Sequence, residues 1–173
     1  MPFDVIVAWV TELVRQHQWL ADPIAFALGF LESIILTAWL VPANVLLVAL
    51  GSVHGAAGGN MPMLWAGAAT GAIAGDVTSY LIGRYAKDYI AGCWPLSQNP
   101  TWLPRGHAFI ESWGMLGVIL AKFAGPLRSL VPLASGVMDM AWPKFLAASI
   151  VSSMIWAAVL LSPGVLTSFW FGS

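Results

Sequence analysis

Residues 121–136 read AKFAGPLRSLVPLASG, and no straight helix accommodates them. The segment is apolar enough for a membrane, yet it holds two cations, Lys122 and Arg128, with breakers at Gly125, Pro126, Pro132 and Gly136. Proline lacks the backbone N–H and clashes with the preceding turn, so it kinks or ends a helix. Irregular backbone at membrane depth is tolerated only where protein or a water-filled cavity covers it. The segment is therefore expected to enter the membrane and turn back, lining a cavity. On a continuous helix the six-residue step would aim Lys122 and Arg128 about 120° apart. A break at Gly125-Pro126 re-aims Arg128 and frees backbone groups beside it.

Composition makes lipid the solvent. The 173 residues are 59% hydrophobic and 9% charged, with mean hydropathy +0.80. Soluble domains carry roughly 25% charged residues. The length fits one membrane domain over residues 1–173. A net charge of −1 offers no electrostatic footprint for nucleic acid. The single Cys93 excludes an internal disulfide and a multi-cysteine metal site. His17, His54 and His107 show no ligand spacing and read as loop or interface residues, so neither metal nor cofactor is expected. No Gly-x-Ser-x-Gly, His-Glu-x-x-His or Walker pattern occurs, and Cys93 has no nearby histidine. No catalytic residue is therefore assigned, and an enzyme is not expected. The start carries Asp4 where a signal peptide has a basic region, which predicts no cleaved leader.

Along the chain, residues 3–20 place Phe3, Val7, Val10 and Val14 against Asp4, Thr11, Glu12 and Arg15, the pattern of an amphipathic helix at the interface. Asp22-Pro23 reads as a break and a new start. The apolar run from Ile24 to Val53 is too long for one span of ~20 residues, and two pieces meeting near Pro42 fit better. Segments 30–52 and 115–137 are expected to turn back, while 62–83 and 143–161 span. Residues 84–107 form the longest polar stretch, a cytoplasmic loop by the excess of Arg84, Lys87 and Arg105 over Asp88. The closing SPGVLTSFWFGS and the tryptophans read as interfacial anchors and packing. The small residues of 62–83 permit close helix approach.

The two halves echo one another. Pro62 matches Pro143 and Gly83 matches Gly164 at one offset, and Gly51 falls against Gly136 if the first loop is longer. Each half reads as a broken, polar-bearing apolar segment, a short loop and a small-residue span. Paired interrupted segments in corresponding positions point to a transporter binding site. Four charges lie inside apolar stretches: Glu32, Asp76, Lys122 and Arg128. Each costs about 2.5–3.5 kcal/mol at a helix centre on insertion scales. Two acids and two bases can cancel, which predicts one internal polar site. An arginine there, with freed N–H groups nearby, suits a phosphate or carboxylate.

The blocks FLESIILTAWLVPANVLLVALG, GAIAGDVTSYLIGR, KFAGPLRSLVPLASGVMDM and WPKFLAASIVSSMIWA resemble the DedA family, also called SNARE-associated or VTT domain proteins. The resemblance implies an all-α, multi-pass protein of the bacterial cytoplasmic membrane. Its architecture would be two opposed re-entrant helical hairpins plus spanning helices in an inverted repeat. The implied activity moves phospholipids or undecaprenyl phosphate between leaflets. Glu32 matches the family's membrane-embedded glutamate, and Arg128 the second arginine of its Arg-Phe-x-Pro-x-x-x-Arg-like block. Lys122 stands where the first arginine is usual, keeping the charge without the bidentate fork. Asn44 stands where many members carry a carboxylate. The leading expectation is a lipid flippase or scramblase in which Arg128 and Lys122 bind phosphate, Glu32 is counter-charge or proton acceptor, and Asn44 hydrogen-bonds. Asp76 joins them as a site residue. The alternatives are a proton- or ion-coupled small-solute transporter and a non-transporting assembly factor. Partners are membrane lipids, with homo-oligomerisation left open.

Overall fold

The computed structural model describes residues 3–34, 43–86, 98, 101–124 and 127–171, and the described residues are helical without strands. The helices are α1 Phe3–Gln16, α2 Ala21–Ser33, α3 Ala43–Ala56, α4 Met61–Tyr85, α5 Trp102–Ala121, α6 Leu127–Val137 and α7 Trp142–Phe171. A single 3₁₀ turn, Gln18–Leu20, joins α1 to α2.

Helix α4 organises the bundle. Asn60 caps it, its side-chain oxygen accepting the Met63 N–H at 3.2 Å, and Pro62 sits in the first turn, where a missing N–H is harmless. Its 25 residues extend about 37 Å at 1.5 Å per residue. Gly67, Gly71 and Gly75 recur every four residues and form one stripe. A Cβ on any of them would overlap a carbonyl oxygen of α2, at Asp22, Phe26 and Phe30 respectively. The matching order shows that α2 and α4 run parallel with backbones in contact. These glycines therefore serve packing.

Helix α7 lies antiparallel to α4. The Trp65 indole N–H donates to the Met154 carbonyl at 3.0 Å, Ser149 reaches Asp76, and Tyr80 stacks on Phe145 with centroids 4.4 Å apart. Helix α3 meets α7 where Gly51 and Gly164 face each other, and α6 meets α4 where Gly136 abuts Tyr80 and Gly83 abuts Leu133. At Gly136 an added methyl would overlap the Tyr80 carbonyl oxygen. Overpacking of this kind costs about 1–3 kcal/mol. Gly136→Ala should therefore lower thermal stability in detergent clearly. Val151→Ala, on the exposed outer face of α7, should stay within about 0.5 kcal/mol of wild type.

Two apolar cores flank a polar band. One gathers Leu46, Leu47, Leu50, Leu64, Ala68 and Leu161; the other gathers Tyr80, Val118, Val131, Phe145 and Ala148. Between them fall Asp76 on α4 and Ser149, Ser152 and Ser153 on α7, all buried. Helices α2, α3 and α6 have 13, 14 and 11 residues, so each is shorter than a ~30 Å hydrocarbon core. One end of each lies at this polar band.

Several expectations need correction. Pro132 does not end α6 but lies inside it; the lost i→i−4 bond and the ring clash at the Arg128 carbonyl do not terminate a helix packed closely against α4. Gly136 is likewise helical and serves the close crossing with α4 rather than a break. Pro42, Gly125 and Pro126 lie outside the described residues. The last helix continues through Pro163 to Phe171 instead of ending at 161. The expected polar loop gives way to α5 from Trp102, which bends at Gly114 (φ 52°, ψ −129°). Among the described residues α7 is the one helix both long and apolar enough to cross a membrane unaided. Helix α4 has the length, but its glycines, Ser79, Thr70, Thr78, Asp76 and Arg84 lower its hydropathy. The outer surface is nevertheless apolar, with Leu116, Leu120, Val151, Ile155, Val159 and Leu166 exposed. Soluble monomers rarely expose such contiguous patches.

Candidate functional site: a buried charge layer

All five residues expected at an internal polar site are brought to the polar band. Glu32 ends α2 with Ser33, Asn44 opens α3, and Arg128 opens α6. Arg128 Nη1 donates to Glu32 Oε1 at 2.9 Å and to Asn44 Oδ1 at 3.3 Å. The Asn44 backbone N–H and amide also face the Glu32 carboxylate. A second pair forms beside the first. The Lys122 ammonium, just past the end of α5, donates to Asp76 Oδ2. Ser149 Oγ donates to the same oxygen at 2.8 Å, with Ser153 Oγ at 3.5 Å. Both ion pairs are almost fully buried. They stand within electrostatic reach of one another, Lys122 feeling Glu32 and Arg128 feeling Asp76. Two positive and two negative groups thus form one near-neutral layer, which a low-dielectric interior requires.

The layer is incompletely satisfied. Among the described residues, Arg128 Nε and Nη2, Glu32 Oε2, Asp76 Oδ1 and Ser33 Oγ are buried without a hydrogen-bond partner. Buried polar groups are normally paired, so a set of five marks either a ligand position or ordered water. The two arginine atoms matter most. Nε–H and Nη2–H share one edge of the guanidinium and point in parallel, the fork that binds two oxygens of a phosphate or carboxylate. The other side is held by Glu32 and Asn44. One face of the guanidinium lies 4.4 Å from the centre of the buried Trp156 ring, a cation–π contact strengthened by desolvation.

Trp156 and the two serines were not legible as site residues. The tryptophans read as interfacial anchors and packing with no place at the site, yet Trp156, 4% exposed, backs the arginine. Its position between Ser153 and the apolar run 157–161, mid-span instead of at an end, was the available signal. Ser149, Ser152 and Ser153 recur at helical spacing, which could have marked a polar stripe facing Asp76. His54 also differs from its expected loop or interface position, being buried in the last turn of α3 with Gly59 against its ring.

Comparison with known proteins gives the family. The VTT domain matches residues 41–166. An uncharacterized membrane protein, BU139, of Buchnera aphidicola (from Acyrthosiphon pisum) is 31% identical over 160 residues, covering 92% of this chain and 62% of the relative. Inner membrane protein YabI of Escherichia coli K12 is 28% identical, covering 80% and 54%. Protein DedA of the same strain is 25% identical, covering 95% and 74%. The chain spans about three fifths of the length of the first of these relatives. No solved structure matches. The matched region holds Asn44, Asp76, Lys122, Arg128, Ser149 and Trp156, and the chain belongs to the DedA family of VTT domain membrane proteins.

Proposed function

We propose that the chain is a membrane lipid transporter, a flippase or scramblase. It would move an anionic headgroup such as a phospholipid or polyprenyl phosphate between leaflets without making or breaking a bond in it. The free edge of Arg128, two parallel buried N–H groups without an acceptor, carries this reading. A phosphate there would gain a two-point contact. Lys122 adds a second cation, while Glu32 and Asp76 hold the site near neutrality without a bound anion. In this reading α2–α3 and α5–α6 are a pair of opposed re-entrant hairpins, and the support is that α2, α3 and α6 each have one end at the charge layer. The crossing of α3 with α7 at Gly51 and Gly164, and that of α6 with α4 where Gly136 abuts Tyr80 and Gly83 abuts Leu133, support an inverted repeat, the arrangement in which a central site is offered alternately to each side. The protein resides in the bacterial inner membrane in this reading, as YabI is named to do.

The test is reconstitution into vesicles carrying labelled polyprenyl phosphate, phosphatidylglycerol or phosphatidylcholine. Anionic lipid should cross faster than in protein-free vesicles. A wild-type rate equal to the protein-free rate for all three lipids would favour a non-transporting assembly role. Asn44 denies the arginine a second carboxylate, so transport should depend only weakly on the proton gradient. Asn44→Asp, which adds a titratable group 3.3 Å from Arg128 in the present geometry, should increase that dependence. A wild-type rate that collapses with an uncoupler contradicts the role given to Asn44.

A further inference from the structure

The bend of α5 opens a groove at the end of the bundle where α4 finishes and α7 starts. It measures about 470 Å³ and is lined by Ile110, Gly114 and Met115 of α5, Met138, Met140 and Ala141 of the α6–α7 connection, and Lys144. Gly114 makes it possible. Its left-handed backbone (φ 52°) diverts the helix, and the space above its Cα is empty. Apart from Lys144 the lining residues are apolar or glycine and include three methionines, and methionine adapts to irregular, flexible occupants. The groove adjoins exposed Met115 and Leu116, so it opens toward the lipid-facing side of α5. Trp113 and Trp142, both exposed, flank it, and such tryptophans sit at headgroup level.

The charge at its rim selects among occupants. Lys144 is exposed, and no described carboxylate pairs with it. The nearest acid in sequence, Asp139, faces Arg84 at 3.9 Å. An exposed cation beside a methionine-lined slot at headgroup level matches one chemistry, an acyl chain joined to an anionic headgroup. A zwitterionic lipid would fill the slot equally well but gain nothing at Lys144. We infer that this groove is a binding site for an anionic phospholipid, its acyl chain against Met115, Met138 and Met140 and its phosphate at Lys144. The site is separate from Arg128 and stands whether or not the buried layer transports lipid.

The probes are spin-labelled phosphatidylglycerol and phosphatidylcholine, each at low mole fraction in phosphatidylcholine vesicles holding the full chain. The measured quantity is the motionally restricted fraction. A single basic side chain near the surface favours anionic lipid by about 5-fold. Wild type should therefore restrict phosphatidylglycerol about 5-fold over phosphatidylcholine, less so at high salt. Lys144→Gln should abolish the preference while leaving total restricted lipid nearly constant. Ala141→Trp, filling the groove from an exposed position, should reduce the restricted fraction of both lipids. The double variant Arg128→Ala/Glu32→Gln, which removes the buried pair together, should leave the preference intact, which separates this site from the transport site. An unchanged preference in Lys144→Gln, or unchanged restriction in Ala141→Trp when both variants keep wild-type thermal stability, overturns the proposal. So does efficient cross-linking between copies through a cysteine at Met115 in a Cys93→Ser background, which would give the groove to a second copy of the chain.

Discussion

Arg128→Ala should abolish lipid translocation and also destabilise the protein, by about 3–5 kcal/mol. The second effect follows from the pairing at 2.9 Å with Glu32, because removing one partner of a buried pair strands the other charge. Loss of the Trp156 contact adds to it. The double variant Arg128→Ala/Glu32→Gln removes both charges and should recover much of the stability. It should recover none of the transport, since the two free N–H groups are gone. Arg128→Lys keeps the charge but offers no planar fork. It should fold better than Arg128→Ala and retain weak transport. Thermal denaturation in detergent, run beside the vesicle assay, checks all three. A double variant that transports normally would show that Arg128 only neutralises Glu32 and does not hold the headgroup.

Lys122→Met should be nearly as costly to stability, again about 3–5 kcal/mol, for a different local reason. Asp76 sits between the two apolar cores, and among the described residues Lys122 is its one counter-charge in direct contact. Ser149 and Ser153 donate hydrogen bonds but carry no charge. Lys122→Met would leave a carboxylate facing two hydroxyls in an apolar interior. Asp76→Asn should strand the ammonium with similar loss. The pair Lys122→Met/Asp76→Leu removes both charges, and such replacements are often neutral or stabilising. Its melting temperature should return to near wild type. If each single variant melts like wild type, water reaches the pair and the layer is not dry.

Much of this site was readable before any fold was known. A charge in an apolar segment has to be compensated, and four charges of balanced sign leave few ways to do it. That logic brought Glu32, Asp76, Lys122 and Arg128 together, with Asn44 joining through its resemblance to a family position. What it could not supply was the pairing. Arg128 with Glu32 and Lys122 with Asp76 depend on which helices adjoin, and the partners lie 96 and 46 residues apart. Trp156 was missed for the same reason: an indole is equally at home at an interface and in a core, and only the position of α6 decides that a guanidinium lies on its face.

The local grammar of breakers proved less informative than the local grammar of charge. Proline and glycine set what a backbone can do in isolation, but packing decides whether the lost hydrogen bond or the missing side chain ends a helix. Pro132 and Pro163 stay helical inside α6 and α7, while Gly136 serves a close crossing with α4. The sequence by itself determined that lipid surrounds this chain, that its buried charges must cancel and that small residues let its helices touch, because those follow from transfer free energies and side-chain size. Only the tertiary structure decided which charge meets which and which edge of Arg128 is left without an acceptor, because contacts between distant segments depend on the whole packing arrangement.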